Sequence, residues 1–218
     1  MPRRTLDYTV FRCHFKCDDD LSSAPAVLVG RGTYKKEPSP LFRRKTKETE
    51  ARVLYEAIVA QARRTEFYSN LGVPDTVDGR FDMIALHVFL VLHRLKRDHP
   101  KSANLAQSLF DTMFLDMDYS LRELGAGDLG VGRRVKQMAK GLYGRIAAYE
   151  AGVEGADEEL EAALRRNLYG TVEATPANLR AVAGYMRRQV AVLRRHSAED
   201  LGAGELMFED PPSSAIDA

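Results

Sequence analysis

The chain has 218 residues, of which 44% are hydrophobic and 29% are charged, a composition typical of a globular protein with a sizeable core and not of a disordered chain. Its 32 Lys and Arg nearly balance its 31 Asp and Glu, so no overall field draws it to nucleic acid or to an anionic membrane. The longest apolar stretch, residues 84–92, is far shorter than the roughly 20 residues that cross a bilayer.

Residues 1–38 are predicted to form an irregular N-terminal extension. They show no sustained periodicity, and the prolines at positions 38 and 40 mark its boundary because proline disfavours helix in the residue before it. The segment lacks the apolar core of a secretion signal, so we expect a cytoplasmic protein. Cys13, His14 and Cys17 offer too few ligands for a structural zinc site, which normally has four.

Residues 39–196 are predicted to form a single compact all-α domain of about six amphipathic helices. Apolar residues recur there at three- and four-residue intervals, and no stretch alternates as a strand would. Asp75 or Asp78 is expected to cap the second helix. The first four helices carry the apolar stripes Ala51, Leu54, Tyr55, Ile58, Ala62; Phe81, Ile84, Ala85, Val88, Val91, Leu92, Leu95; Phe110, Met113, Phe114, Met117, Leu121, Leu124; and Val135, Met138, Ala139, Leu142, Ile146, Tyr149, Val153.

Two shorter helices are predicted over about residues 157–168 and 175–195. The second begins with an N-cap, Thr175, followed by Pro176 at the first helical position, where the missing N–H costs nothing. Residues 197–218 contain two glycines, a Pro-Pro pair and several acids, and we predict an irregular acidic C-terminal tail.

Clustered carboxylates on the third helix are the first candidates for chemistry, because Asp111, Asp116 and Asp118 are of the type that holds a divalent metal or transfers protons. Asp116, however, lies about 160° from Asp118 around a helix, so the three cannot converge. His87 has no second ligand at a recognisable spacing, and we interpret it as a hydrogen-bonded histidine beside the core. The common catalytic and nucleotide-binding motifs are absent, so we expect no enzyme, no metal and no cofactor.

Arg133, Lys136 and Lys140 form a basic stripe near the start of the fourth helix. Such a stripe suits an acidic partner or a phosphate, but an ordinary solvated face has the same spacing. Together with the arginine pairs at 187–188 and 194–195 it also allows an RNA- or ribosome-binding module. A helical metalloenzyme built on the third-helix aspartates is the other alternative.

Several segments resemble the ubiquinol–cytochrome c chaperone family in an extended, ordered pattern. The longest is LFDTMFLDMD at residues 109–118, and the similarity covers about residues 41–170. The other segments are DTVDGRFD at 75–82, LRELG at 121–125, GDLGVG at 127–132, VKQMAK at 135–140 and YGR at 143–145.

The resemblance implies a non-enzymatic chaperone that assembles respiratory complex III, with cytochrome b as its partner. Mitochondrial members of the family receive newly made cytochrome b and can associate with the ribosome. The resemblance is therefore compatible with transient ribosome contact and with peripheral association with the inner membrane. It implies no stable binding of nucleic acid. We expect the partner to be held at the cytoplasmic face by the second, third and fourth predicted helices. The candidate contacts are Arg80, Asp82, Asp111, Asp116, Asp118, Arg133, Lys136 and Lys140.

Overall fold

Helices account for all regular secondary structure in residues 40–123, 125 and 128–213, which are the residues that the computed structural model describes; side chains are described for these except 40–48, 128 and 129. The all-α prediction is confirmed, and six of the eight helices have 11 or more residues. Their bounds are α1 Pro40–Ala62, α2 Thr65–Ser69, α3 Val77–Lys96, α4 Ala103–Glu123, α5 Asp128–Glu154, α6 Asp157–Asn167, α7 Pro176–Leu193 and α8 Ala198–Gly202.

Side-chain caps fix the start of three helices. Thr76, and not Asp75 or Asp78, caps α3 by accepting from the Gly79 amide at 3.1 Å. A Cβ on Gly79 would lie 2.0 Å from the Pro74 carbonyl oxygen. The start of α3 can therefore approach Pro74 this closely only with glycine at position 79. Thr175 caps α7 as predicted, and a reciprocal capping box starts α8.

Helix α3 is the centre of the compact unit formed by residues 41–218. It packs against α4, α5 and α7, so side chains are buried on more than one face of this helix. Met83, Leu86, Phe89 and Leu90 are buried as fully as the predicted positions. The predicted second stripe was therefore too narrow, because it assumed one buried face.

His87 lies fully buried on α3 and its two ring nitrogens both have partners. Nδ1 is 2.8 Å from the Met83 carbonyl oxygen, which can only accept, so Nδ1 carries the proton. Nε2 then accepts from the Tyr185 hydroxyl of α7 at 2.8 Å. Burial lowers the pKa of His87 to about 4, and the histidine is neutral at physiological pH.

The two five-residue helices α2 and α8 were not predicted. Beyond α8, residues 205–213 belong to no helix but lie against the helical core, with Pro211 and Pro212 buried. Residues 1–39 and 214–218 lie outside the described part of the chain, and the domain limits at 38/39 and 196/197 stay predictions.

Truncating the core of α3 tests its central position. Leu86→Ala should lower the free energy of unfolding by about 2–5 kcal/mol, because the fully buried side chain would leave a cavity between packed helices. Chemical denaturation monitored by circular dichroism measures the loss. Val77→Ala on the same helix is the matched control, since Val77 is largely exposed and its truncation should change stability by less than about 0.5 kcal/mol.

Candidate functional site

The outward side of α4 carries both acidic and apolar side chains. Leu115 is 70% exposed and Tyr119 is 71% exposed, although five residues of the predicted stripe are buried, namely Phe110, Met113, Phe114, Met117 and Leu121. Leu124, the sixth, lies outside the described residues. Asp111 and Asp118 lie on the adjoining strip of the same helix, where Asp111 accepts from Gln107 at 2.8 Å and Asp118 from Arg122 at 2.7 Å. Helix α4 therefore presents an apolar pair beside an acidic ridge.

Helix α5 packs against α4 and carries the predicted basic stripe. Arg133, Lys136 and Lys140 are all exposed. One turn beyond Lys140, the Tyr143 ring lies 5.4 Å from that of Phe110 on α4. Burial and the nearby Asp111 carboxylate raise the pKa of Tyr143, which places the carboxylate close to this flank of α5. We call the set Asp111, Leu115, Asp118, Tyr119, Arg133, Lys136 and Lys140 the α4–α5 face.

Asp116, the third aspartate of α4, lies on another side of the helix. Its carboxylate accepts from the Tyr55 hydroxyl of α1 at 2.9 Å. Burial, together with Asp116, raises the pKa of Tyr55, so the hydroxyl stays protonated and donates. The three aspartates do not converge, as their helical spacing indicated, and Asp116 joins α4 to α1.

Asp82 is only 14% exposed and forms an ion pair with Arg145 of α5 at 2.6 Å. The Arg145 guanidinium also lies 5.8 Å from the centre of the Phe81 ring. Burial raises the pKa of the Asp82 carboxyl to about 7, although Arg145 opposes the shift. This pair joins α3 to α5 from inside.

Arg80 is exposed near the start of α3 and pairs with Asp75 at 2.7 Å. The eight candidate contacts therefore occupy four places: the acidic ridge of α4, the basic stripe of α5, the internal positions of Asp82 and Asp116, and the exposed start of α3.

Leu115 and Tyr119 were missed by the sequence reasoning, which sought partner contacts among charged residues. The signal was present, because both residues fall off the apolar stripe of their helix and stand four apart on one side. Large apolar side chains that are exposed together on a helix are typical of interaction surfaces.

One group among the described side chains has the spacing of metal ligands. The ligand atoms of His93, Glu150 and Glu154 all lie within 4.8 Å of one another. The Lys96 ammonium, however, already contacts the Glu150 carboxylate, and a cation would have to displace it. Burial lowers the pKa of His93, which leaves a neutral imidazole.

Within the part of the chain that the structure describes, no helix combines the length and apolar character needed to cross a membrane.

Residues 69–208 match the family model described as "Ubiquinol-cytochrome C chaperone". The chain belongs to this family. The match confirms the resemblance seen in the sequence, and it includes the whole α4–α5 face.

Relatives of the chain include proteins with names that refer to the reductase complex. The chain is 27% identical over 148 residues to ubiquinol-cytochrome-c reductase complex assembly factor 1 of Xenopus laevis, covering 68% of this chain and 74% of that protein. It is 29% identical over 150 residues to the mitochondrial protein CBP3 of Saccharomyces cerevisiae, covering 66% of this chain but 44% of that protein. The match spans half the length of the human relative.

A solved structure gives the same fold. The crystal structure of the Cbp3 homolog from Brucella abortus is 43% identical in sequence, with a TM-score of 0.68 over 78% of this chain and 95% of that one. The helical arrangement around α3 is thus similar to that of an experimentally determined relative.

The Asp82–Arg145 pair predicts a pH-dependent stability. Because burial raises the pKa of Asp82 from 3.8 to about 7, protonation of this carboxyl stabilises the fold. That stabilisation is complete below about pH 4 and is lost as the pH rises through about 7, by at most about 4 kcal/mol. Asp82→Asn cannot titrate, so the stability of the wild type relative to this variant should fall across the same window.

Chemical denaturation of both proteins between pH 4 and pH 8 measures that difference. A stability difference that instead grew with rising pH would contradict the prediction. The attraction of the carboxylate to Arg145 would then outweigh the free-energy cost of burying its charge.

Proposed function

We propose that the chain is an assembly chaperone for ubiquinol–cytochrome c reductase, respiratory complex III, and that it holds immature cytochrome b at the cytoplasmic face of the inner membrane. Its family membership and the names of its relatives support the assembly role. The single observation that carries the binding mode is the exposed Leu115–Tyr119 pair beside the acidic ridge of α4.

The α4–α5 face combines the two requirements of a selective docking surface. Burying Leu115 and Tyr119 against a partner removes apolar area from water, which supplies affinity at about 25 cal/mol per Å². The acidic ridge lies on α4 and the basic stripe on the neighbouring α5, so a partner segment with complementary charges can dock in one orientation. We infer that cytochrome b presents an apolar segment with basic residues that face the acidic ridge and acidic residues that face the basic stripe.

The internal candidate residues support this face from behind. Asp116 joins α4 to α1 through Tyr55, and Asp82 joins α3 to α5 through Arg145. Arg80 extends the surface at the start of α3, where its pairing with Asp75 is exposed and weak enough to exchange for a partner carboxylate.

Binding in this scheme uses no cofactor and no catalytic step. The basic stripe also suits brief contact with the ribosome or with anionic lipid headgroups, and either contact would bring the chaperone close to cytochrome b as it is made. The chain would then act as a peripheral protein of the inner membrane.

Pull-down from native membranes with the tagged full-length chain tests the α4–α5 face. Recovery of cytochrome b should fall at least about 10-fold with Leu115→Ala/Tyr119→Ala, because two central apolar contacts of 1 kcal/mol or more would be lost. Reversing the basic stripe with Arg133→Glu/Lys136→Glu/Lys140→Glu should lower it similarly and also reduce the amount of assembled complex III.

Glu173→Lys/Arg180→Glu is the matched control, since both residues are exposed and belong to neither α4 nor α5 and the double change also reverses charge. Cytochrome b recovery that is unchanged in all variants would refute the face. Recovery of RNA in place of cytochrome b, with a steep dependence on salt concentration, would favour the RNA-binding alternative.

A further inference from the structure

Residues 205–213, which we call the C-terminal strap, lie against α1, α3, α7 and the residues that flank α2. We call the surface beneath the strap the groove; its lining residues include Gln61, Arg64, Asn70, His87, Arg188 and Gln189. The strap follows α8 and has no helical structure. Gln61 of α1 and Asn70 after α2 donate to the Glu209 and Ser213 carbonyl oxygens at 2.9 and 2.8 Å. The groove therefore holds an extended peptide segment along several residues.

Backbone recognition in the groove centres on one fully buried side chain of α7. The Gln189 carboxamide accepts from the Glu209 N–H at 3.1 Å and donates to the Glu209 carbonyl at 3.3 Å. Gln61 donates to the same carbonyl. A neighbouring strand satisfies an extended chain in a similar way, and these bonds do not depend on the side chain at position 209.

Side-chain recognition in the groove is confined to a short sequence. The Phe208 ring packs edge-on against His87 with ring centres 5.3 Å apart. Arg188 lies 3.7 Å from the Glu209 carboxylate, and Arg64 pairs with Asp210. Pro211 and Pro212 are buried at the end of the strap. The strap thus presents to the groove an aromatic residue, two acids and two prolines, in that order.

The strap is attached in a way that lets it leave without disturbing the helices. Helix α8 is held by its own capping box, and the strap begins after Gly204, which has a φ of +85°, a conformation that glycine adopts without strain. Met207 is 71% exposed and the Asp210 side chain 83% exposed, so Met207 and the screened Arg64–Asp210 pair contribute little to the attachment of the strap. Water can satisfy Gln189 and Gln61 once the strap is released.

We propose that this groove is a binding site for an extended segment of a partner protein that carries an aromatic residue, two acidic residues and proline, and that the strap occupies the site until such a segment displaces it. The two arginines and the bidentate glutamine define the chemistry of this occupant. The site lies on elements other than the α4–α5 face and does not depend on the proposed function.

A fluorescein-labelled peptide with the sequence of residues 205–213 tests the proposal by anisotropy titration of the full-length chain. The wild type should bind it weakly, because the tethered strap competes at a roughly millimolar effective concentration. Phe208→Ala weakens that competitor and should bind the peptide at least about 10-fold more tightly. Met207→Ala changes the adjacent exposed residue and should keep the wild-type affinity.

Two further variants, made in the Phe208→Ala background, separate groove recognition from adventitious binding. Gln189→Ala should weaken peptide binding at least about 10-fold, with circular dichroism as the check on folding. Arg64→Glu changes a half-buried residue that also pairs with Glu66 at 2.7 Å, so circular dichroism checks the folding of this variant too. It should weaken binding of the native peptide, and a peptide with Asp210→Arg should restore the affinity.

Absence of peptide binding to Phe208→Ala up to about 1 mM would overturn the proposal, as would equal affinity in the Gln189→Ala and Arg64→Glu variants. A concentration-dependent dimer of Phe208→Ala or of the wild type that exchanges straps, detected by light scattering, would assign the groove to a second copy of the chain and also overturn the partner assignment.

Discussion

Burial of α3 on nearly all sides is the constraint on which the rest of the domain depends. A helix that packs against three others turns several of its polar groups inward, and each of these needs a partner. Asp82 meets Arg145, His87 meets Met83 and Tyr185, and Arg94 donates to the His196 carbonyl at 2.8 Å. These contacts tie α3 to α5, to α7 and to the chain after α7, so the polar groups of one helix also set the positions of its neighbours.

The distribution of buried and exposed side chains on α4 and α5 follows from that packing. Helices α4 and α5 bury Met113, Leu121, Leu142 and Ile146 toward the core, which leaves their charged sides outward and next to each other. The α4–α5 face is thus a by-product of two amphipathic helices lying side by side, and only the exposed Leu115–Tyr119 pair departs from ordinary patterning.

Much of this fold could be predicted because the apolar residues of each helix recur at three- and four-residue intervals. The all-α class, the six longer helices and the Thr175–Pro176 start of α7 follow from residues near one another in the chain. The pairings Tyr55–Asp116 and Asp82–Arg145 could not be predicted, since their members are 61 and 63 residues apart and each charge alone looks like a surface charge. Asp82 and Asp116 were selected as exposed contacts for that reason. The strap was missed because extended segments leave no periodic signal.

The hydrogen bonds around His87 run in one direction, from Gln61 to the Tyr185 hydroxyl at 3.0 Å, from Tyr185 to His87, and from His87 to the Met83 carbonyl. Gln61 is also a donor to the Glu209 carbonyl, so release of the strap removes one acceptor of Gln61 and leaves the three hydrogen bonds of the relay in place. Opening of the groove is then a local event with its own free energy, smaller than that of global unfolding. Amide hydrogen exchange would separate the two, because the Glu209 amide would exchange through strap opening while the amides of α3 would wait for the whole domain to unfold.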